Sequence, residues 1–445
     1  MADPAIESHA RRVLDEVVRA GAHGDLIVHQ DASLSLKAHD GDLEEHKVNS
    51  TRVYGVRVIK DCRAGIAYSE AADAAALHSM VAQALQNAAF AREDDKEAIA
   101  DGNGSLVTDD ATLCRQDDVT VETKIAAALA MERELAARDK VQNVPYNGVQ
   151  DVTAERYVFT TAGHTAHSKA RLCNAYAYAL LKDGDKDVLD GVERTARQFD
   201  ELDTSVIVEE TYARCIALLH GEAVPSRHYD VLFDVECQAA LFDAFASVFS
   251  GRAARDGISP LRERIGERIG VDGLDIRDAP RRTEGFGYAL FDGEGIATAT
   301  TTLVERGRLV TLAHNSATAG HFGVANTGHA ARSPKTPLGV ALHQPEIGPG
   351  EIRESDLTSG EYLEIVDLAG LHSGTNAVSG DFSLGAAGFL CADGERLRPV
   401  RNITVAGNFL DMLTKIVGIG DVQHWNARRS ALMARIRFAD MPISG

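Results

Sequence analysis

Long hydrophobic runs are missing from this sequence. The longest, IAAALAM from Ile125 to Met131, falls far short of the roughly twenty apolar residues a membrane helix needs. The opening stretch MADPAIESHARRVLDEVV has no apolar core behind a basic start, so no secretory leader is expected. Cysteine is sparse. Cys62, Cys114, Cys173, Cys215, Cys237 and Cys391 lie far apart and form no CxxC. That disfavours a zinc ribbon, and a chain of this size needs no disulfide framework. The cytoplasm is the expected compartment. Positive charge is also short: 46 Lys+Arg against 66 Asp+Glu give a formal net charge of −20. Direct nucleic-acid binding needs a basic field and is not expected. An anionic membrane surface is disfavoured for the same reason.

Several catalytic motifs are absent too. With 16 histidines a metal site is conceivable, but neither HExxH nor HExxxH occurs, and a helical zinc site needs two His on one face. His164 and His167 sit in a Gly/Thr-rich stretch, and His321 and His329 flank a Gly/Asn-rich loop. Exposed or hydrogen-bonded loop histidines are the simpler account of both pairs. No GxSxG elbow, Walker loop or GxGxxG fingerprint is present. Cys391 lies in an apolar run and is expected to be buried and inert. Cys237 starts a helical pattern, where a lowered pKa would be possible.

What is present fits a soluble globular chain. The 445 residues suggest two or three domains. Ile6, Ala10, Val13, Val17 and Val18 share one helical face. DLIVHQ and SLSLKAHDG read as two strands, and residues 53–69 as a hairpin turning at KDCRAG. Residues 71–90 return to helical spacing. Residues 92–111 are polar and acidic and read as an exposed loop. A helix is expected over 120–139. A β-rich stretch with a turn at Asn147-Gly148 follows, then a further helical pattern over 191–218. GEAVPSRH at 221–228 breaks the pattern and marks the main boundary. Beyond it come a strand, a helix over 236–249, short strands with Gly-rich turns, and a last helix over 409–416. The β-β-β-α order without regular β/α alternation implies an α+β fold of two domains. Residues 1–220 form an N-terminal sheet-and-helix domain with a β-rich segment at 140–220. Residues 228–445 form the second domain, in which short strands and Gly-rich turns dominate.

The densest polar cluster is ALHSGTNAVSGDFSLGAAGF. His372, Asn376, Ser379 and Asp381 alternate there with glycines, which let a backbone approach a ligand closely. Turns and bulges of a β-barrel account for the same glycines. Exposed strand edges beside them could take an extended peptide by strand addition.

The same residues carry a resemblance. SGTNAVSGDFSLGAAGF followed by PVRNITVAGNFLDMLTKIVGIGD resembles the C-terminal signature of the TldD/PmbA family, in its PmbA (TldE) branch. GVRVIKDCRAGIAYS, VPYNGV, GISPLRERIGERI and ARSPKTPLG resemble further family segments, so the match spans nearly the whole chain. It implies a cytoplasmic protein with an α/β N-terminal domain and a mainly antiparallel, barrel-like β domain over residues 228–445, paired as a TldD–PmbA heterodimer. The pair is a metallopeptidase that clips unfolded peptides, including leader peptides of modified peptide antibiotics and an antitoxin. The family is also labelled a modulator of DNA gyrase. The TldD branch has HExxxH on its central helix and a Cys ligand near the C-terminus. Here the corresponding helix reads VECQAALFDAFASVF, with no His, and the tail after Gly420 has no Cys. No metal ligand carries over, and zinc is expected in a TldD-type partner. The resemblance therefore implies a subunit without its own metal site, shaping a groove for an unfolded or leader peptide. His372, Asn376, Ser379 and Asp381 are the candidates to line that groove or the subunit interface.

Two other readings remain. One is a homodimer with an unorthodox active site built from His314, His321, His329 or His372, acting in natural-product peptide processing. It predicts activity in the isolated chain. The other is a non-enzymatic regulatory binding protein, which predicts tight binding and no peptide turnover with any partner.

Overall fold

The computed structural model describes residues 3–100 and 110–445. The first helix, α1 (Pro4–Arg19), starts with Asp3 as N-cap and Pro4 in its first turn, and buries Ile6, Ala10, Val13 and Val17. Strands β1 (His23–His39), β2 (Asp42–Lys60) and β3 (Arg63–Ser69) follow, then α2 (Ala74–Phe90). After a short α3 (Asp110–Leu113) come α4 (Val121–Ala136), strands β4 (Val141–Thr160), β5 (Thr165–Asp183) and β6 (Lys186–Ala196), and α5 (Thr204–Leu218). All six strands form one antiparallel sheet in the order β3-β2-β1-β4-β5-β6. Its strands are long enough to carry two cores. Leu26, Val28, Tyr54, Val56, Tyr157 and Phe159 pack with α1 and α2 at one end. Leu36, Val149, Cys173 and Ala175 pack with α4 and α5 at the other.

The second half begins with β7 (Arg227–Phe233), α6 (Val235–Ala244) and α7 (Gly251–Arg255). Short strands β8 (Ile276–Asp278), β9 (Thr301–Glu305) and β10 (Arg308–Leu309) lead to α8 (Ser316–Phe322). Then come β11 (Ala330–Ala331), β12 (Gly339–Val340), β13 (Pro345–Ile347) and α9 (Glu354–Leu357). Longer strands β14 (Glu361–Ala369), β15 (Asp381–Ala392) and β16 (Glu395–Asn408) precede α10 (Phe409–Thr414), β17 (Ile416–Trp425) and β18 (Leu432–Ser444). Strands β18, β16, β15, β14 and β7 are neighbours in that order, and β7 pairs back onto β18. That closes the curled sheet on itself around Phe233, Leu363, Val405, Phe409 and Phe438. The α+β class and the barrel-like C-terminal half hold.

Five local expectations differ. DLIVHQ and SLSLKAHDG are one continuous strand, β1. Asn147-Gly148 is not a turn but lies inside β4. A Cβ at Gly148 would sit 2.3 Å from the Leu36 carbonyl oxygen, so glycine there permits close strand approach. The helical pattern over 191–218 begins as strand β6 and becomes helical only at Thr204. The helix over 236–249 ends at Ala244 and continues as a tighter turn, Ala246–Phe249. Of the 92–111 loop, residues 101–109 lie outside the described residues. The part before them is not simply exposed, because Ala100 is buried and Glu97 turns in to Arg57.

The two halves meet across a buried ionic clasp. Arg57 of β2 pairs with Asp25 of β1 at 2.7 Å and with Glu294 of the C-terminal half at 3.1 Å. Arg332, also from the C-terminal half, pairs with the other oxygen of Asp25. The second oxygen of Glu294 accepts the Ser316 N–H at 2.9 Å. Each carboxylate in this dry contact thus has a cation, as buried charges require.

Candidate functional site: a cleft between β6 and α6

Helix α6 has two unlike faces. Asp234 caps its start by accepting the Cys237 N–H at 2.7 Å. On the inner face, Gln238 donates to Ala434 O at 2.8 Å and accepts from Ile436 N–H at 3.0 Å, which bolts the helix to β18. Phe242 and Phe245 pack on Phe409, with ring centroids 5.1 and 4.7 Å apart. The opposite face presents Glu236, Ala239, Ala240 and Asp243, spaced three, four and seven residues along one stripe.

That stripe floors a cleft of about 560 Å³, walled by the chain after β12 and the loop between β17 and β18. A second lobe of about 270 Å³ shares Glu193, Glu236 and Ala240 with it. It runs along β6 from Asp190 to Arg194 and reaches Leu368 and Leu371. The two lobes form one groove whose sides come from the two halves of the chain. Among the described residues, strand β6 is the edge of its sheet, with β5 beside it.

Most cations in the groove are already engaged. Arg428 pairs with Glu193, Arg194 with Glu210, and Arg214 with Asp190 at 3.1 Å. Among the described residues, Asp243 and Asp367 have no such ion pair, and Glu236 accepts the Ala427 N–H. The surrounding protein strips water from Glu236 and raises its pKa, with Asp234 adding to the effect. His343 lines the cleft but donates through Nε2 to Gly328 O at 2.9 Å, and burial lowers its pKa. The groove therefore offers small side chains, unpaired carboxylates and a strand edge.

A metal does not fit this donor set. Among the described residues, no three His, Cys, Asp or Glu side chains of the groove converge on one point. Cys237 is no activated thiol. Burial and the adjacent Asp234 push its pKa well up, opposite to the expectation from its place at a helix start. Burial likewise raises the Cys391 thiol, as its apolar surroundings implied.

The four residues singled out in the sequence lie on the loop and strand start just beyond Leu371, and none lines either lobe. Asn376 Oδ1 accepts the Val378 and Ser379 N–H groups at 3.0 and 3.3 Å. Ser379 Oγ accepts the Asp381 N–H at 3.3 Å, and Asn408 donates to Asp381 Oδ1 at 2.9 Å. His372 is exposed. The structure brings Asn376, Ser379 and Asp381 together as a hydrogen-bonded turn near one end of the groove. The other candidate histidines are engaged elsewhere, and His329 lies beside His343 with ring centroids 5.4 Å apart. His164 bonds Gly295 O at 2.8 Å, and His167 stacks on Tyr157 at 4.3 Å. His321 sits at the end of α8, and His329 is fully buried against Asp278 at 3.0 Å. His314 is buried beside Thr318, and its pKa is lowered to about 4 by burial and by His329. The α6 stripe, not the polar loop, was the signal for the groove.

Three family models match the chain in order. They are the PmbA/TldA metallopeptidase domain 1 over residues 24–88, the central domain over 114–219 and the C-terminal domain over 226–445. The chain belongs to the PmbA/TldD family of metallopeptidases. Domain 1 and the central domain share the six-stranded sheet through the β1–β4 pairing. Among relatives, the Metalloprotease PmbA homolog of Haemophilus influenzae is 26% identical over 96% of this chain and 93% of its own. Metalloprotease PmbA of Escherichia coli O157:H7 is 26% identical over 98% and 97%. A Thermotoga maritima structure, described as a candidate modulator of a DNA gyrase, superposes with a TM-score of 0.88 at 24% identity, covering 99% of this chain and all (100%) of its own. TldE from Thermococcus kodakarensis gives 0.85 at 18% identity, covering 99% and 100%. These two likenesses show the fold. No helix among the described residues is long and apolar enough to cross a membrane.

Proposed function

We propose that this chain is the PmbA/TldE-type subunit of a two-subunit metallopeptidase, with the metal held by a TldD-type partner. Its groove takes an unfolded or leader peptide in extended form. The observation that carries this reading is the α6 stripe. In a metallopeptidase family, the helix face that opens on the groove presents Glu236, Ala239, Ala240 and Asp243 and no imidazole. Zinc-assisted hydrolysis needs fixed ligands and an open position for water, and this face supplies neither. What it supplies is room and negative charge, and β6 adds a backbone edge for strand pairing. The groove's carboxylates without ion pairs favour a basic peptide segment.

Reconstitution tests the proposal. The purified chain is expected to hold no stoichiometric metal when loaded alone and to cleave no unfolded peptide. Turnover is expected on mixing with a TldD-type subunit, together with a stable complex burying more than roughly 2,000 Å². Peptide cleavage by the isolated chain would refute it, and so would a stable mixture that never cleaves.

A further inference from the structure

We propose that the groove ends in an apolar subsite, between α5 and the β14–β15 pair, that takes one leucine-class side chain of the bound peptide. This rests on the peptide-groove reading above and names what that groove selects: a segment in which a branched aliphatic residue accompanies basic ones. The subsite is a cavity of about 300 Å³. It begins where the second lobe stops, and Arg214 and Val366 line both. Arg214 is the partition. Its Nε donates to Asp190 Oδ2 at 3.1 Å, in the lobe, and its Nη2 donates to Val366 O at 3.0 Å.

A β-bulge shapes the wall at this point. Along β14, Ile365 pairs with Gly388 and Asp367 with Ala387, so Val366 is the extra residue of its strand. Three successive side chains are thereby sent to different places. Ile365 enters the barrel core, Val366 lines the cavity, and Asp367 faces the lobe. The chemistry of the walls decides the occupant. Ala213 and Ala217, four residues apart on α5, leave the space, and Leu218, Val366 and Phe389 floor it. Those three belong to one packed core, so the floor is set before a peptide arrives. The charged groups of the rim are engaged. Glu210 pairs with Arg194, Arg214 with Asp190, and Arg396 with Glu364 at 2.7 Å, while Asp234 accepts the Cys237 N–H. Arg396 also lies over the Phe389 ring, 4.1 Å from its centroid. A charged side chain would lose water here and gain no partner, whereas an aliphatic one gains by leaving water.

The test is fluorescence anisotropy with the full chain and a short labelled Lys/Ser peptide, in which one leucine is placed at each position in turn. At least one placement is expected to bind about tenfold more tightly than the leucine-free parent. Ala217→Trp fills the cavity and is expected to bring that peptide down to the parent's affinity. Ala213→Leu, at an exposed position of the same wall, narrows the cavity and reports in its place if Ala217→Trp fails to fold. N-acetyl-leucinamide, read by saturation-transfer NMR, probes the cavity without the groove, and its signal is expected to vanish in the same variant. An unbound Lys/Ser parent with this variant-sensitive amide signal would sink the groove reading and leave the subsite standing. With the parent bound, no leucine placement above it, or a gain that survives in the folded variant, would overturn the subsite. With the parent unbound, so would the lack of an amide signal or one that the folded variant keeps.

Discussion

The clasp and the groove both lie between the two halves of the chain, yet they treat charge in opposite ways. In the clasp, Asp25, Arg57, Glu294 and Arg332 are buried and paired with one another. In the groove, Asp243 and Asp367 are exposed and form no ion pair among the described residues, while Glu236 accepts the Ala427 N–H. Buried charge has to be satisfied inside the protein. Charge left open at a solvated wall is available to something that arrives. One contact holds the halves together, and the other leaves a place between them.

The sharpest way to break that contrast is Arg57→Met. It leaves Asp25 short of a partner and strands Glu294 and Glu97, and is expected to cost about 3–5 kcal/mol in denaturant unfolding. A loss below 1 kcal/mol would mean that the clasp is not what joins the halves. Next comes the inner face of α6. Gln238→Leu leaves Ala434 O and Ile436 N–H without partners in a dry site and should cost about 1–3 kcal/mol by the same measurement.

A smaller effect depends on pH. The folded chain holds His314 near pKa 4, below the ordinary value of 6.5. Below pH 6.5 the unfolded chain takes up a proton that folded His314 refuses, so stability falls as pH drops toward 4. His29, also lowered to about 4 by burial, acts the same way. Asp292, raised to about 6 by burial, acts oppositely, since its contribution fades as pH rises toward 6. His314→Asn should therefore make acid unfolding shallower, by at most about 1.4 kcal/mol per pH unit. Stability curves from pH 4 to 7 for both proteins check this. The smallest stability effect is expected on the groove side. Glu236→Gln with Asp243→Asn should change stability by less than about 0.5 kcal/mol. The pair should still weaken binding of a lysine-rich peptide severalfold, as fluorescence anisotropy would read.

The same contrast explains what the sequence reveals. Helices α1, α2 and α4 are legible because one face of each is buried and the other solvated, so apolar residues recur at helical spacing. Strand β1 reads as two pieces because its middle, Gln30–Ser33, lies where the sheet has neither helical core over it. Polar residues there erase the alternation. Strand β6 hides in a helical pattern because Gly191 breaks its period. A Cβ there would meet the Tyr178 ring at 2.4 Å, so the glycine marks close approach, not a helix start. The family resemblance supplies the barrel-like second half, which its short strands do not announce. The groove draws on β6, α6, the stretch after β12 and the β17–β18 loop, and spacing along the chain says nothing about such meetings. Only α6 leaves a trace, as small and acidic residues opposite Leu241 and Phe242. The polar loop at His372–Asp381 stood out because turn chemistry concentrates Asn, Ser, Asp and Gly.

The central claim is that a metal-free groove in this chain serves the assembled peptidase. Ala240→Trp tests it most directly, because Ala240 lines both lobes and a large ring there obstructs the path between them. In a complex reconstituted with a TldD-type partner, the account predicts unchanged assembly and partner metal content, with peptide turnover down at least tenfold. Full turnover by an intact complex carrying this substitution would contradict it.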